Sequence, residues 1–232
     1  MSEYILECRM LTKYYQVPVF KDFCLAVRPG KIVGLLGPNG SGKTTLIKMT
    51  AGVLTPTFGD ILVDGKPIGP ESKAVVSYLP DRNSLPLQKT VCELVELFKT
   101  MFADFDSKRA LSLLTDLKID SNQKLAYLSK GNREKVQLIL VMSRRAKLYL
   151  LDEPIAGVDP ATRDYILDTI LKNYDPAATI LISTHLIADV EKVLDDFIFL
   201  KNGTVTRYGD VKEFCAAEGI TLDEAFRREF RC

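Results

Sequence analysis

The hydrophobic positions of this chain change their period along the sequence, and these changes predict the order of its secondary structure. Short apolar or alternating runs, typical of β-strands, occupy residues 4–10, 20–27, 60–68, 73–79, 147–151, 179–183 and 196–200. Apolar residues at helical spacing occupy residues 91–105, 107–117, 133–145, 186–194 and the tail from residue 211. The pattern therefore predicts an α/β chain in which a strand-rich first part precedes a helical middle and further strands.

A glycine-rich stretch separates one buried strand from the helix that follows it. Residues 32–36 predict the strand, and the helix begins near Thr45. The stretch consists of Gly37, Pro38, Asn39, Gly40, Ser41, Gly42, Lys43, Thr44 and Thr45. Two glycines that frame four residues before Lys and Thr form the phosphate-loop pattern, whose backbone N–H groups and helix dipole bind a triphosphate. We expect Lys43 to contact the β and γ phosphates and the Thr44 hydroxyl to bind Mg²⁺.

Composition excludes a strong electrostatic attraction to nucleic acid. The chain carries 31 basic and 30 acidic residues, a formal net charge of +1, so no nucleic-acid partner is expected. Its cysteines are predicted to be free thiols in a reducing cytoplasm, because they show no metal-ligand spacing: Cys8, Cys24, Cys92, Cys215 and Cys232. No signal peptide is expected, and every apolar run is shorter than the roughly 18 residues that span a bilayer. Membrane association would therefore require another polypeptide.

Several further motifs follow the phosphate loop in a fixed order. A buried run from Leu148 ends in Asp152 and Glu153, and Leu128-Ser129-Lys130-Gly131-Asn132 precedes the third helix. The remaining matches are Tyr15 near a turn, Asp159 after Val158, and His185 after Ser-Thr. With the phosphate loop, this set resembles the nucleotide-binding subunit of ATP-binding cassette (ABC) transporters over essentially the whole chain.

The resemblance implies a role for each matched residue. Asp152 would hold Mg²⁺, Glu153 would act as the general base that orients the attacking water, and His185 would hydrogen-bond the γ phosphate. Tyr15 would stack on adenine, and Asp159 falls on the loop that follows the catalytic strand in this family. Ser129, which also caps its helix, and Gly131 would bind the γ phosphate of ATP held by a second subunit. Two copies, or a copy and a paralogue, would thus close head to tail around ATP.

Two departures from the family pattern limit what can be carried over. Asp81 stands where the family has a glutamine that reaches Mg²⁺ and the water; the acid could still bind the metal, but it is shorter and charged. Lys130 and Asn132 replace the usual glycine and glutamine of the signature motif. We therefore expect activity with an altered rate or coupling.

The predicted organisation is a single ABC cassette. Residues 1–83 and 147–232 would form a phosphate-loop ATPase core with a mainly parallel sheet and an N-terminal antiparallel β lobe. Residues 84–146 would form a helical subdomain that carries the signature motif. The compact form resembles bacterial ABC exporters whose membrane permease is a separate chain, including exporters of peptides or drugs. Such a protein would lie at the cytoplasmic face of the membrane, with the permease contacting residues 82–87 and 98–105.

Two other functions remain open at this point. A soluble ABC ATPase could act on DNA or ribosomes without a membrane partner, although this chain lacks the second cassette, long coiled coil or basic extension usual in such proteins. A nucleotide-gated regulator that binds ATP and barely hydrolyses it is conceivable because of Asp81. Turnover by the protein and by its Glu153→Gln variant distinguishes the regulator from the transport ATPase.

Overall fold

A computed structural model describes residues 2–230 and shows two β-sheets flanked by helices. The strands are β1 (Leu6–Tyr14), β2 (Pro18–Val27), β3 (Ile32–Leu36), β4 (Phe58–Val63), β5 (Lys66–Pro67), β6 (Val76–Leu79), β7 (Leu148–Asp152), β8 (Thr179–Thr184), β9 (Asp196–Lys201) and β10 (Thr204–Asp210). The helices are α1 (Lys43–Thr50), α2 (Pro70–Ala74), α3 (Val91–Met101), α4 (Ser107–Asp116), α5 (Lys130–Met142), α6 (Pro160–Asn173), α7 (Ile187–Val190), α8 (Val211–Glu218) and α9 (Leu222–Glu229). This arrangement confirms the predicted α/β class.

The N-terminal strands form an antiparallel sheet in the order β2-β1-β4-β5. Alternating apolar side chains such as Leu6, Phe23 and Leu25 are buried, because one face of the sheet packs on a hydrophobic core. Asp64-Gly65 forms the bend between β4 and β5, where both residues have positive φ angles. The predicted antiparallel lobe is therefore present.

The second sheet has the order β10-β9-β3-β8-β7-β6 and is parallel except at β10. Its central strands β3, β7 and β8 are buried along their whole length, which explains their continuous apolar sequences. The register pairs Leu36 with Thr184 and Asp152 with Ser183. The carboxyl ends of three strands therefore meet at one edge, beside the phosphate loop.

Helices α3, α4 and α5 share a hydrophobic cluster of their own. A capping box begins α3, since Thr90 and Glu93 each accept a hydrogen bond from the other's backbone N–H group. Arg144, only 3% exposed, links these helices to the core. It binds both carboxylate oxygens of Asp104 at 3.0 and 3.1 Å and donates to the carbonyl oxygens of Ala74 and Val76. The two parts of the chain are thus joined by a buried charge.

Four elements differ from the sequence prediction. Residues 73–79 were expected to form one strand, but its first part belongs to α2, which Pro70 begins, and β6 starts only at Val76. The α3 helix ends at Met101, and Phe105 reaches Phe98 from the following loop. Residues 186–194 divide into α7 and a 3₁₀ turn, and the pattern analysis missed α6 although Asp159 and Pro160 are strong helix-start residues.

Within residues 2–230, no helix combines the length and apolar character needed to cross a lipid bilayer. Cys8, Cys24, Cys92 and Cys215 are free thiols, as predicted, and Cys232 lies outside the described residues.

Candidate functional site

The phosphate loop connects β3 to α1, and glycines allow its tight path. Gly42 is the N-cap of α1 with φ of 111°, and a Cβ there would lie 2.7 Å from the Phe20 ring. A Cβ on Gly37 would overlap the Leu200 carbonyl oxygen. Both positions therefore require glycine, and the loop delivers its backbone N–H groups to the start of α1.

Lys43 is only 5% exposed, and its ammonium points back over the loop. Nζ donates to the carbonyl oxygens of Gly37 at 2.7 Å and Pro38 at 3.2 Å, and lies 3.6 Å from Oε1 of Glu153. Burial lowers the pKa of Lys43, while the Glu153 carboxylate opposes that shift. The ammonium is thus a partly desolvated cation, which strengthens its interaction with phosphate oxygens.

Asp152 is fully buried at the end of β7, and one of its carboxylate oxygens accepts no hydrogen bond within the described residues. Its Oδ1 accepts hydrogen bonds from Thr44 Oγ1 at 2.9 Å and Ser183 Oγ at 2.7 Å, whereas Oδ2 is buried without a partner among the described residues. Burial raises the pKa of Asp152 against these hydrogen bonds, and the charge of Asp81 adds to the rise. An unpaired buried carboxylate oxygen beside a hydroxyl fits Mg²⁺, which prefers oxygen ligands.

Glu153 follows β7 in a left-handed backbone conformation, with φ of 49°. Such a conformation is strained for a residue with a side chain, and here Ser183 stabilises it. The Glu153 N–H donates to the Ser183 carbonyl oxygen at 3.1 Å and to Ser183 Oγ at 3.0 Å. The side chain then reaches His185, whose Nδ1 lies 3.0 Å from Glu153 Oε2. Glu153 is therefore held between the Lys43 ammonium and the His185 ring.

Lys43, Glu153 and His185 line one open cavity of about 650 Å³, called here the nucleotide cavity. Its lining residues are Val19, Asn39, Gly40, Gly42, Lys43, Thr44, Thr45, Asp81, Arg82, Glu153, Ala156 and His185. A volume of this size is typical of pockets for nucleotide-sized ligands. The cavity thus brings together the phosphate loop and the predicted residues Asp81, Glu153 and His185.

Eight predicted residues do not line this cavity: Gly37, Pro38, Ser41 and Asp152 lie behind or within its wall, and Tyr15, Ser129, Gly131 and Asp159 lie elsewhere. Tyr15 is 59% exposed, and the Lys13 ammonium lies 5.3 Å from its ring centre. Ser129 and Gly131 lie at the start of α5, where Ser129 caps the helix by accepting from the Asn132 N–H at 3.3 Å. Asp159 likewise caps α6 through the Thr162 N–H and hydroxyl. In this chain alone, the signature motif does not complete the nucleotide cavity.

Two residues near the site were missed by the sequence analysis. Ser183 contacts both Asp152 and Glu153; the signal for it was a polar residue at the end of a buried strand, next to His185. Lys48, one turn into α1, lies 3.8 Å from the Asp81 carboxylate.

A second cavity of about 220 Å³ lies where α5 faces the ends of β6 and β7, and we call it the seam cavity. It shares Asp81, Arg82, Glu153 and Ala156 with the nucleotide cavity. Helix α5 contributes Lys130, Arg133, Glu134, Gln137 and Leu138 to its wall. The general-base candidate is therefore accessible from two sides.

Comparison with known proteins gives a family match that spans the phosphate loop and the catalytic strand. The family model described as "ABC transporter" matches residues 20–156. "ABC transporter ATP-binding protein YtrB" of Bacillus subtilis (strain 168) is 33% identical over 226 residues, covering 96% of this chain and 77% of the relative. "Thiamine import ATP-binding protein ThiQ" of Chelativorans sp. (strain BNC1) is 33% identical over 205 residues, covering 85% of this chain and 83% of the relative.

Solved structures show the same fold. One described as "Structure of ATP binding subunit of ABC transporter" superposes with a TM-score of 0.85 at 29% identity, covering 97% of this chain and 98% of the other. A dimeric ATP-binding cassette, MJ0796, in a post-hydrolysis state bound to ADP and Pi, has a TM-score of 0.77 at 24% identity. That alignment covers 88% of this chain and 98% of the other.

Proposed function

The chain belongs to the ATP-binding subunits of ABC transporters, which are ATPases, and from this premise we propose that it drives export through a separate transmembrane permease. In this proposal, ATP closes two subunits into a sandwich dimer and hydrolysis releases them. Membership in a transporter family favours this function over the alternative of a soluble ATPase that acts on DNA or ribosomes. The subunit would lie at the cytoplasmic face of the membrane and be held there by the permease.

The observation that carries the proposal is the division of the predicted site. Lys43, Glu153 and His185 share the nucleotide cavity, whereas Ser129 and Gly131 lie at the start of α5, outside it. A second subunit turned head to tail would supply that helix start, with its N–H groups, to the γ phosphate. The dimeric form of the MJ0796 cassette supports this assembly. Nucleotide binding and dimer closure would then be one equilibrium.

The chemistry follows from the positions of three side chains. Glu153 would accept a proton from the attacking water, Lys43 would neutralise phosphate charge, and His185 would hold both Glu153 and the γ phosphate. Thr44 and Asp152 would hold Mg²⁺, with Asp81 nearby, and the ion would supply further charge neutralisation on the phosphates. Tyr15 would contact adenine from its exposed position, and Asp159 would lie near the subunit interface.

Direction of transport is tested with inside-out membrane vesicles that contain the chain and its co-purifying permease. We expect ATP to drive accumulation of a fluorescent amphipathic peptide inside these vesicles, because their interior corresponds to the cell exterior. Vesicles with the Glu153→Gln variant serve as the control and should accumulate no peptide. ATP-driven loss of preloaded peptide would contradict export and indicate import, which is the direction named for the relative ThiQ.

The permease is proposed to bind a docking groove lined by Val53, Lys73, Tyr78, Phe98 and Phe102. This groove includes part of the predicted segment 98–105, but residues 82–87 do not line it. Phe102 packs against the helical cluster, and the Arg144 guanidinium lies 4.0 Å from its ring centre. A charge there would also disturb folding. Val53 is 66% exposed and tests the groove more cleanly.

We expect Val53→Glu to abolish permease-stimulated ATP hydrolysis and peptide accumulation, because a carboxylate in the groove must be desolvated when the permease binds. Basal hydrolysis by the isolated chain should change less than about twofold, since the cost falls on docking. Leu111→Glu, at an exposed position on α4 away from the groove, is the matched control. Normal stimulation of the Val53→Glu variant would contradict the groove assignment.

A further inference from the structure

Helix α5 presents a polar stripe to the seam cavity. Lys130, Arg133, Glu134 and Gln137 are spaced i, i+3, i+4 and i+7, so they lie along one face of the helix. The rest of the helix from Val136 onward is apolar and buried. Gln137 is therefore a polar residue embedded in the part of α5 that otherwise packs as hydrophobic core.

Gln137 is only 4% exposed and lines the seam cavity. Its carboxamide makes no hydrogen bond within residues 2–230, and its polar atoms open onto the seam cavity instead of being sealed in the core. A residue that serves only packing would more favourably be Leu or Met at this position, whereas an amide that opens onto a cavity can bind a group there. The amide is retained in the wall of a cavity that also contains Glu153 and Asp81.

The loop after β6 provides no neutral amide to the nucleotide cavity at position 81. Asp81 occupies that position, and its carboxylate lies 3.8 Å from the Lys48 ammonium. A carboxylate accepts hydrogen bonds and cannot donate them, whereas a carboxamide does both without adding charge. Next to Asp152 and Glu153, Asp81 adds a third negative charge and cannot donate, and the Asn83 amide of the same loop is already hydrogen-bonded elsewhere.

We propose that Gln137 is the positioning residue that supplies this missing amide from α5, orienting Glu153 and its water across the seam cavity. The inference rests on the proposed ATP hydrolysis with Glu153 as the base. The Gln137 amide N–H groups donate to the Glu153 carboxylate, and its carbonyl oxygen accepts from the attacking water. Glu153 is then held on one side by His185 and Lys43 and on the other by Gln137. No new charge enters the site.

The test is steady-state ATP hydrolysis by the purified chain with Gln137→Met, which keeps the shape of the side chain and removes the amide. We expect kcat to fall about tenfold, equivalent to one well-placed hydrogen bond, with the KM for ATP changed less than about twofold. The unfolding midpoint should not fall, because Met fills a similar volume and the amide that it replaces makes no hydrogen bond. Gln88→Met, the same substitution at an exposed position, is the matched control.

The deciding measurement is the same substitution in an Asp81→Gln background, where an amide has been restored at the loop. We expect Gln137→Met to reduce kcat less than about twofold there, because the two amides serve one role and their effects are not additive. An equal loss of kcat in both backgrounds, or an unchanged kcat in the single variant, would overturn the proposal. A lower unfolding midpoint together with equal losses would assign Gln137 to packing.

A second variant keeps the test decisive if Gln137→Met folds poorly. Gln137→Glu has the same shape and should also lower kcat, since it places another carboxylate beside Glu153; wild-type turnover in that variant counts against the proposal. Different measurements distinguish a failure of the proposed function from a failure of this inference. Wild-type protein that does not hydrolyse ATP, or a Glu153→Gln variant with normal turnover, rejects the function itself, whereas normal turnover only in the Gln137 variants rejects this inference.

Discussion

Glu153→Gln should lower the kcat for ATP hydrolysis by about 100- to 1,000-fold, because the amide cannot accept the proton of the attacking water. ATP binding should be retained, since the phosphate loop and Lys43 are unchanged. The variant should also accumulate as an ATP-bound dimer, because closure occurs and the step that reopens it is blocked. Phosphate release and size-exclusion chromatography with ATP measure the two effects.

Glu96→Gln makes the same chemical change at an exposed position of α3, where the carboxylate contacts Lys99. It should hydrolyse ATP at the wild-type rate. Wild-type turnover by Glu153→Gln would reject the assignment of the base. Very slow turnover by the wild-type protein itself, with strong ATP binding, would instead support the nucleotide-gated regulator.

Lys43→Met is expected to weaken ATP binding by about 10- to 100-fold, equivalent to the loss of a charge-assisted hydrogen bond in a partly desolvated site. The ammonium is the buried cation of the phosphate loop, held by the Gly37 and Pro38 carbonyl oxygens. Equilibrium titration with a fluorescent ATP analogue measures the affinity directly. The stabilisation of the fold by saturating ATP should fall in parallel, since ligand binding and stability are linked.

Lys66→Met removes an exposed ammonium from β5 and provides the control, because it lies on the antiparallel sheet and contacts only Glu71 among the ion pairs of residues 2–230. Its affinity for ATP should be unchanged. Equal affinities of Lys43→Met and the wild type would show that the loop binds nucleotide without its lysine, and would contradict the assigned role of Lys43.

The missed and corrected elements have specific physical causes. The segment from Lys73 to Leu79 is short and apolar, and such a run does not distinguish a strand from the end of a helix. The helix start lies before this segment, at Pro70, so its first residues belong to α2. The α6 helix was missed although Asp159 caps it, because Asp159 was interpreted only as a functional residue. The helix predicted over residues 91–105 was too long, because the rings of Phe102 and Phe105 continue the apolar pattern beyond the end of α3. Both rings contact Phe98 from outside the helix.

The phosphate loop was predictable from the sequence because its residues are contiguous and its conformation depends on local backbone freedom. Gly42, Lys43 and Thr44 act within one turn, so their order alone indicates an anion site at a helix start. The general-base candidate Glu153 could be proposed from the sequence for a related reason, as an acid that directly follows a buried strand. The sequence by itself thus determined the family, the nucleotide and the main chemical groups.

The tertiary structure decided which distant residues meet those groups. Ser183 reaches Asp152 and Glu153 because parallel register places β8 beside β7, across 31 residues of sequence. Gln137 and Glu153 line the same seam cavity because α5 packs against β6, beside the end of β7. Neither arrangement has a local sequence pattern, since each depends on how separate elements pack. The sequence indicated a phosphate loop and a general-base candidate, and only the packing showed which side chains hold that candidate in place.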